Sequence, residues 1–234
     1  MKSLFASFKR KLRDIKVNKT IRKLLTTEDR ISSGIIDDLQ EFSHDEITHV
    51  LRESYSSLEP HLQEQLLAVL EDQGYMEVIY DKLNNGSERE ILYSLDLLAL
   101  LKPPKALDSI FKKLADNRES IRFEAAYALI LYRNQRVVEL TIKELKQDSP
   151  YLPARLAQVL MGYGSLAVLE LVNNLNNSEI DTDMVLEILK LMSEETTDEK
   201  VTECLAMNSE VIMKAQMAKD LKGARVEGRQ ECEK

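Results

Sequence analysis

A leucine returns along this chain at a nearly constant interval. Leu83, Leu114, Leu145 and Leu175 are separated by 31, 31 and 30 residues, Leu205 stands 30 further on, and Leu51 stands 32 before Leu83. Self-similarity at such a period marks a chain built from one supersecondary unit used several times. Two further positions echo at different phases: Tyr80, Phe111, Ile142 and Val172 in one register, Leu67, Leu98, Leu129 and Val159 in another. Apolar residues in two separate registers require two amphipathic helices per unit. In the clearest unit the first helix runs from Glu119 to about Leu131, with Ile121, Ala125, Ala128 and Leu129 at helical spacing. The second runs from about Gln135 to Lys146 and carries Val138, Ile142 and Leu145 on one stripe.

Local signals agree with the period. Ser43–Glu46, Ser87–Glu90 and Thr196–Glu199 have capping-box spacing, in which a hydroxyl accepts a backbone N–H and the glutamate reaches back. Ser149-Pro150 places a capping residue before a proline suited to a first helical turn. Pro103-Pro104 forces a turn between the two helices of its unit. With only 7 Gly and 5 Pro in 234 residues, the many tight turns of an all-β protein have no material. A single helix pair of this length cannot bury its apolar face alone; stacked neighbours form a continuous core. Ile91 to Leu101, apolar nearly all round, therefore belongs between units.

The segment from Arg118 to Leu129 resembles the first helix of short bacterial HEAT repeats, whose pattern is approximately Val-Arg-x-x-Ala-Ala-x-Ala-Leu-Gly. Ile121-Arg122 takes the place of Val-Arg, and Ala125-Ala126 and Ala128-Leu129 fit directly, but Ile130 stands where the family has glycine. Arg133 to Val138 resembles the turn into the second helix. The likeness covers residues 35–222 and is clearest at 118–145. It implies an all-α fold, an α-α superhelix of five or six helical hairpins, with residues 26–222 as the repeat domain. An ordinary bundle of similar hairpins is the alternative.

The ends differ from this body. Residues 1–25 hold nine Lys or Arg against Asp14, a net +8; the whole chain carries −8, so the rest carries −16. Leu4, Phe5, Phe8, Leu12 and Ile15 fall within an arc of about 100° on a helix. Large apolar residues on one face with Lys and Arg on the other suit an interfacial helix, drawn to anionic lipid. Leu4, Phe5, Phe8, Lys9, Arg10, Lys11, Leu12 and Arg13 are the candidate membrane or partner contacts. The same helix could instead cap the first repeat, or its charges could dock on the acidic body. Residues 223–234 alternate charge with no apolar face and are expected to fray.

Nothing in the sequence assembles a catalytic centre. His44 and His49 are five apart, which sets their rings about 140° apart on a helix, whereas the zinc motif needs a spacing of four. Cys204 and Cys232 have no ligand spacing, and two cysteines make no disulfide framework. No Walker loop or dinucleotide fingerprint occurs; Gly162-Tyr163-Gly164 reads as an inter-helix turn. Asp37-Asp38, Asp45-Glu46 and Glu194-Glu195 read as charges at helix ends. No cofactor is expected. The reading that follows is a non-enzymatic, cytoplasmic scaffold that binds a protein or peptide. Its inner second helices would offer Lys112, Lys113, Lys143, Glu144, Asn173 and Asn174. Peripheral attachment at the cytoplasmic face of a membrane is the second reading. A glycosylase-like or lyase-like enzyme, known on HEAT-like folds, is the third. An acidic body without Trp does not suit a nucleic-acid groove.

Overall fold

The computed structural model describes the backbone of residues 2–219 and the side chains of residues 11–219. The described residues are helical with no strand. They divide into two compact units, one up to Ser109 and one from Ile110.

In the first unit, α1 (Lys2–Leu25) precedes α2 (Ser33–Glu41), α3 (His44–Ser54), α4 (Pro60–Asp72), α5 (Tyr75–Asn85) and α6 (Glu88–Leu101). α1 packs on α2 and α3, and α5 packs between α4 and α6. Aliphatic residues at helical spacing make the core: Leu62, Leu66 and Leu70 in α4, then Ile91, Leu95 and Leu98 in α6. α6 also buries Ser94, Leu97, Ala99 and Leu101, so it is enclosed on most of its circumference. Two buried tyrosine hydroxyls are paired, while that of Tyr80 is buried without a partner. Thr48 Oγ1 and Tyr75 Oη lie 2.6 Å apart, and Tyr55 Oη donates to the Leu101 carbonyl at 3.1 Å.

α7 (Leu107–Lys112) crosses the point at which the units divide. The second unit continues with α8 (Glu119–Tyr132), α9 (Gln135–Lys143), α10 (Pro153–Tyr163), α11 (Ser165–Asn173), α12 (Thr182–Glu195), α13 (Glu199–Met207) and α14 (209–219). The neighbours follow an alternating rule: α10 packs against α8 and α12, and α11 packs against α9 and α13. Within pairs, α10 meets α11 and α12 meets α13. Tyr163, closing α10, donates its hydroxyl to the Leu129 carbonyl of α8 at 2.8 Å and accepts the Asn134 N–H at 3.2 Å. Arg133 donates to the Gly162 carbonyl at 2.7 Å, and Arg155 on α10 pairs with Glu119 on α8.

The recurring leucines Leu51, Leu83, Leu114, Leu145 and Leu175 are all buried; Leu205 is half-buried. Each of Leu83, Leu114, Leu145 and Leu175 lies at or just beyond the end of the helix before it. In the second register Leu98, Leu129 and Val159 are fully buried, whereas Leu67 is half-buried because α4 turns Leu66 inward instead.

A repeat that the residue types conceal appears in the backbone. Lys102 and Arg133, 31 residues apart, both take the left-handed conformation (φ 50° and 52°), and Gly164, 31 further on, has φ 58° but a different ψ of −131°; each ends the helix before it. The left-handed conformation reverses the chain into the next element. For a residue with a Cβ it costs about 1–2 kcal/mol, which glycine avoids at an entropic cost of about 0.5–1 kcal/mol. Lys102→Gly should therefore raise stability by about 0.5–1 kcal/mol, read as a higher urea midpoint.

Three local expectations are corrected. Ser43 and Ser87 do form capping boxes with Glu46 and Glu90, their backbone N–H groups reaching the carboxylates at 2.7 and 2.9 Å. Thr196 does not cap α13. Asp198 does, accepting the Lys200 N–H at 2.9 Å, because α13 begins at Glu199; Thr196 Oγ1 instead accepts the Asp198 N–H at 3.1 Å. Ser149-Pro150 opens no helix: α10 begins at Pro153, and Ser149 Oγ accepts the Tyr151 N–H in the preceding loop. Gly164 ends α10 as expected, but Gly162 lies inside that helix. A Cβ there would come 2.5 Å from Ile130 Cγ1, so glycine permits close approach of α8 and α10.

Candidate binding surfaces

In the second unit α9 and α11 border a common groove. Glu139, Ile142 and Lys143 of α9, with Glu144 and Lys146 after it, face Glu170 of α11, Asn174, and Asn177, Glu179 and Ile180 of the following loop. They enclose about 620 Å³. Two features shape this wall. Glu139 and Glu170 stand 31 residues apart, so the repeat sets them side by side on α9 and α11. The loop after α11 is drawn in by a hydrogen bond from the Asp181 N–H to the Leu145 carbonyl at 2.6 Å. Asn174 donates to the Glu170 carbonyl and Asn177 to Asn174 Oδ1, which fixes the amides. Glu144 is held by Lys146 at 3.3 Å.

Four glutamates face two lysines here, so the groove favours a basic or polar ligand. It has no aromatic lining residue. Of the residues expected on this surface, Lys143, Glu144 and Asn174 line the groove. Asn173 is exposed at the end of α11 without lining it, and Lys112, which ends α7, and Lys113, which opens the 3-10 turn after it, are not among the lining residues. Glu179, Ile180 and Asn177 were not foreseen. They come from a loop, and no periodicity announces a loop's position.

α1 makes a second surface. It is one unbroken helix to Leu25. Its attachment uses a different stripe: Val17, Thr20, Ile21 and Leu24 are buried. The acids of α2 and α3 complete the seat. Asp38 accepts from Thr20 Oγ1 at 3.0 Å and Lys23 Nζ at 2.8 Å, with Lys16 at 3.3 Å. Lys16 also reaches Glu41 at 2.6 Å, and Arg13 reaches Glu46 at 2.7 Å and the Glu41 carbonyl. Asp38 thus lies within α2 as an anchor for α1, a correction to its reading as an end charge. Leu12 and Ile15 remain outward, 51% and 63% exposed. Lys11 is exposed; the side chains of Leu4, Phe5, Phe8, Lys9 and Arg10, and residues 223–234, lie outside the described ones.

Burial would push the Asp38 carboxyl up, yet the hydrogen bonds from Lys23, Thr20 and Lys16 together hold it below its ordinary 3.8. Burial opposes Glu46 likewise, but the Ser43 backbone and hydroxyl, then Arg13, hold it below 4.5. A carboxyl depressed on folding adds stability above its ordinary value and loses it as pH falls through the folded value. Acidification from about pH 5 to below 3.8 should therefore loosen α1, seen as lower amide-exchange protection at Val17–Leu24 once the intrinsic rate at each pH is divided out. Unchanged protection there would contradict the docking.

His44 stacks on Tyr75 with ring centroids 5.4 Å apart, and His61 Nε2 contacts the Glu28 carbonyl at 3.0 Å. Cys204 is a buried free thiol on α13. Among the described residues no three His, Cys, Asp or Glu gather to hold a metal, and no helix is long and apolar enough to cross a membrane. The chain matches no family profile, and no curated protein is significantly similar to it.

Proposed function

We propose that the chain is a HEAT-type α-solenoid acting as a non-enzymatic scaffold, with a protein or peptide bound along its second helices. The observation that carries the fold reading is the packing of the second unit. First helices α8, α10 and α12 adjoin in order, as do second helices α9, α11 and α13, and this alternation is what stacked hairpins produce. Buried leucines at a period of 30–31 are the sequence counterpart.

Function does not follow from fold; it follows here from the groove. Glu139 and Glu170 repeat along it, so a segment with basic residues at matching spacing meets successive carboxylates. Rigid helices hold those acids in place before binding, which limits the entropy lost on association. Affinity capture from a native lysate tests this with wild type beside Glu139→Lys/Glu170→Lys. The expected result is a basic partner retained by wild type, lost by the variant, and rebound when purified. Equal retention by both proteins, or substrate turnover by the purified chain in a broad hydrolase and transferase screen, would overturn the reading.

A further inference from the structure

We infer that the outward face of α1 is a docking surface for an anionic lipid bilayer, and that it is separate from the face that holds α1 to the fold. The inference is independent of the scaffold reading. It begins with the two stripes of one helix. At 100° per residue, Leu12 and Ile15 centre about 160° from Val17, Thr20, Ile21 and Leu24. The buried stripe already satisfies the need for a cap, so the exposed one is surplus to folding. The sequence places Leu4, Phe5 and Phe8 at the same helical phase, outside the residues whose side chains are described.

The cations divide in the same way. Arg13, Lys16 and Lys23 are engaged by Glu46, Glu41 and Asp38. Lys11, Lys19 and Arg22 are exposed, have no acidic partner among the described residues, and lie within about 70° of the centre of the outward stripe. Apolar residues bordered by unneutralised cations fit a surface that is apolar inside and anionic at its rim. An interfacial helix meets that surface at a depth of about 5–10 Å. A nucleic acid would use the cations and leave the leucine–isoleucine stripe in water. The net −16 carried outside residues 1–25 is repelled by the same lipid, which favours approach with α1 foremost.

Vesicle partitioning of the full chain tests this, with phosphatidylcholine containing phosphatidylserine set against phosphatidylcholine alone. Because the chain has no Trp, Ile15→Trp supplies a single fluorescent reporter. Its emission should shift to the blue only with the anionic vesicles, and added salt should reverse the shift. Leu12→Glu/Ile15→Glu should lower partitioning more than tenfold with the thermal midpoint unchanged, since both positions are exposed. Lys19→Gln/Arg22→Gln should lower it about 25-fold, on about fivefold per cation near the surface. Equal partitioning of Leu12→Glu/Ile15→Glu and wild type, equal binding to both vesicle types, or binding to duplex DNA but not to vesicles would each overturn the inference.

Discussion

Leu145→Ala should destabilise the second unit by about 2–5 kcal/mol, read from urea unfolding followed by helical circular dichroism. Leu145 is fully buried just past α9, and its carbonyl receives the Asp181 N–H that ties in the loop before α12. Truncation would leave a cavity at the joint between α9 and the next pair, where rigid neighbours prevent collapse. Leu83→Ala in the first unit should cost a similar amount, because Leu83 is equally enclosed at the end of α5. Leu12→Ala, on an exposed side chain, should change stability by less than about 0.5 kcal/mol. A small effect at both Leu145 and Leu83 would remove the structural meaning of the leucine period.

The second large effect is expected at Gly162. An added Cβ would meet Ile130 Cγ1, Cδ1 and Cγ2 at 2.5, 2.6 and 2.8 Å. Both branches of Ile130 are involved, so turning that side chain cannot clear the contact. Gly162→Ala should cost about 1–3 kcal/mol through the separation of α8 from α10. Adding Ile130→Ala should recover much of that loss, with a coupling of about 0.5–3 kcal/mol in the double-mutant cycle. Strict additivity of the two substitutions would contradict the close approach.

The physical origin of each feature explains what could be read in advance. Helix pairs were legible because Ile121, Ala125, Ala128 and Leu129 repeat with the helix and α8 buries that face. The break at Pro103-Pro104 was legible because proline lacks a backbone donor, and Pro104 opens a short 3-10 turn there. The shared left-handed ends at Lys102 and Arg133 were hidden, since neither residue type favours that conformation.

α1 misled for a different reason. Phe5, Phe8, Leu12 and Ile15 form the stronger apolar pattern, but the fold uses Val17, Ile21 and Leu24 interrupted by Thr20. A threonine in a buried stripe looks like a break until Asp38 is seen to accept its hydroxyl. In the groove, Lys143, Glu144 and Asn174 were found because they ride on the repeat. Asn177, Glu179 and Ile180 were missed because a backbone hydrogen bond places their loop.

Nuclear Overhauser contacts between methyl groups of the second unit test the stacking most directly. Cross-peaks should join α8 to α10, α10 to α12, α9 to α11 and α11 to α13, with none between α8 and α12 or between α9 and α13. Direct α8–α12 or α9–α13 contacts would mean that the helices close into a bundle, and the stacked-hairpin account would be wrong.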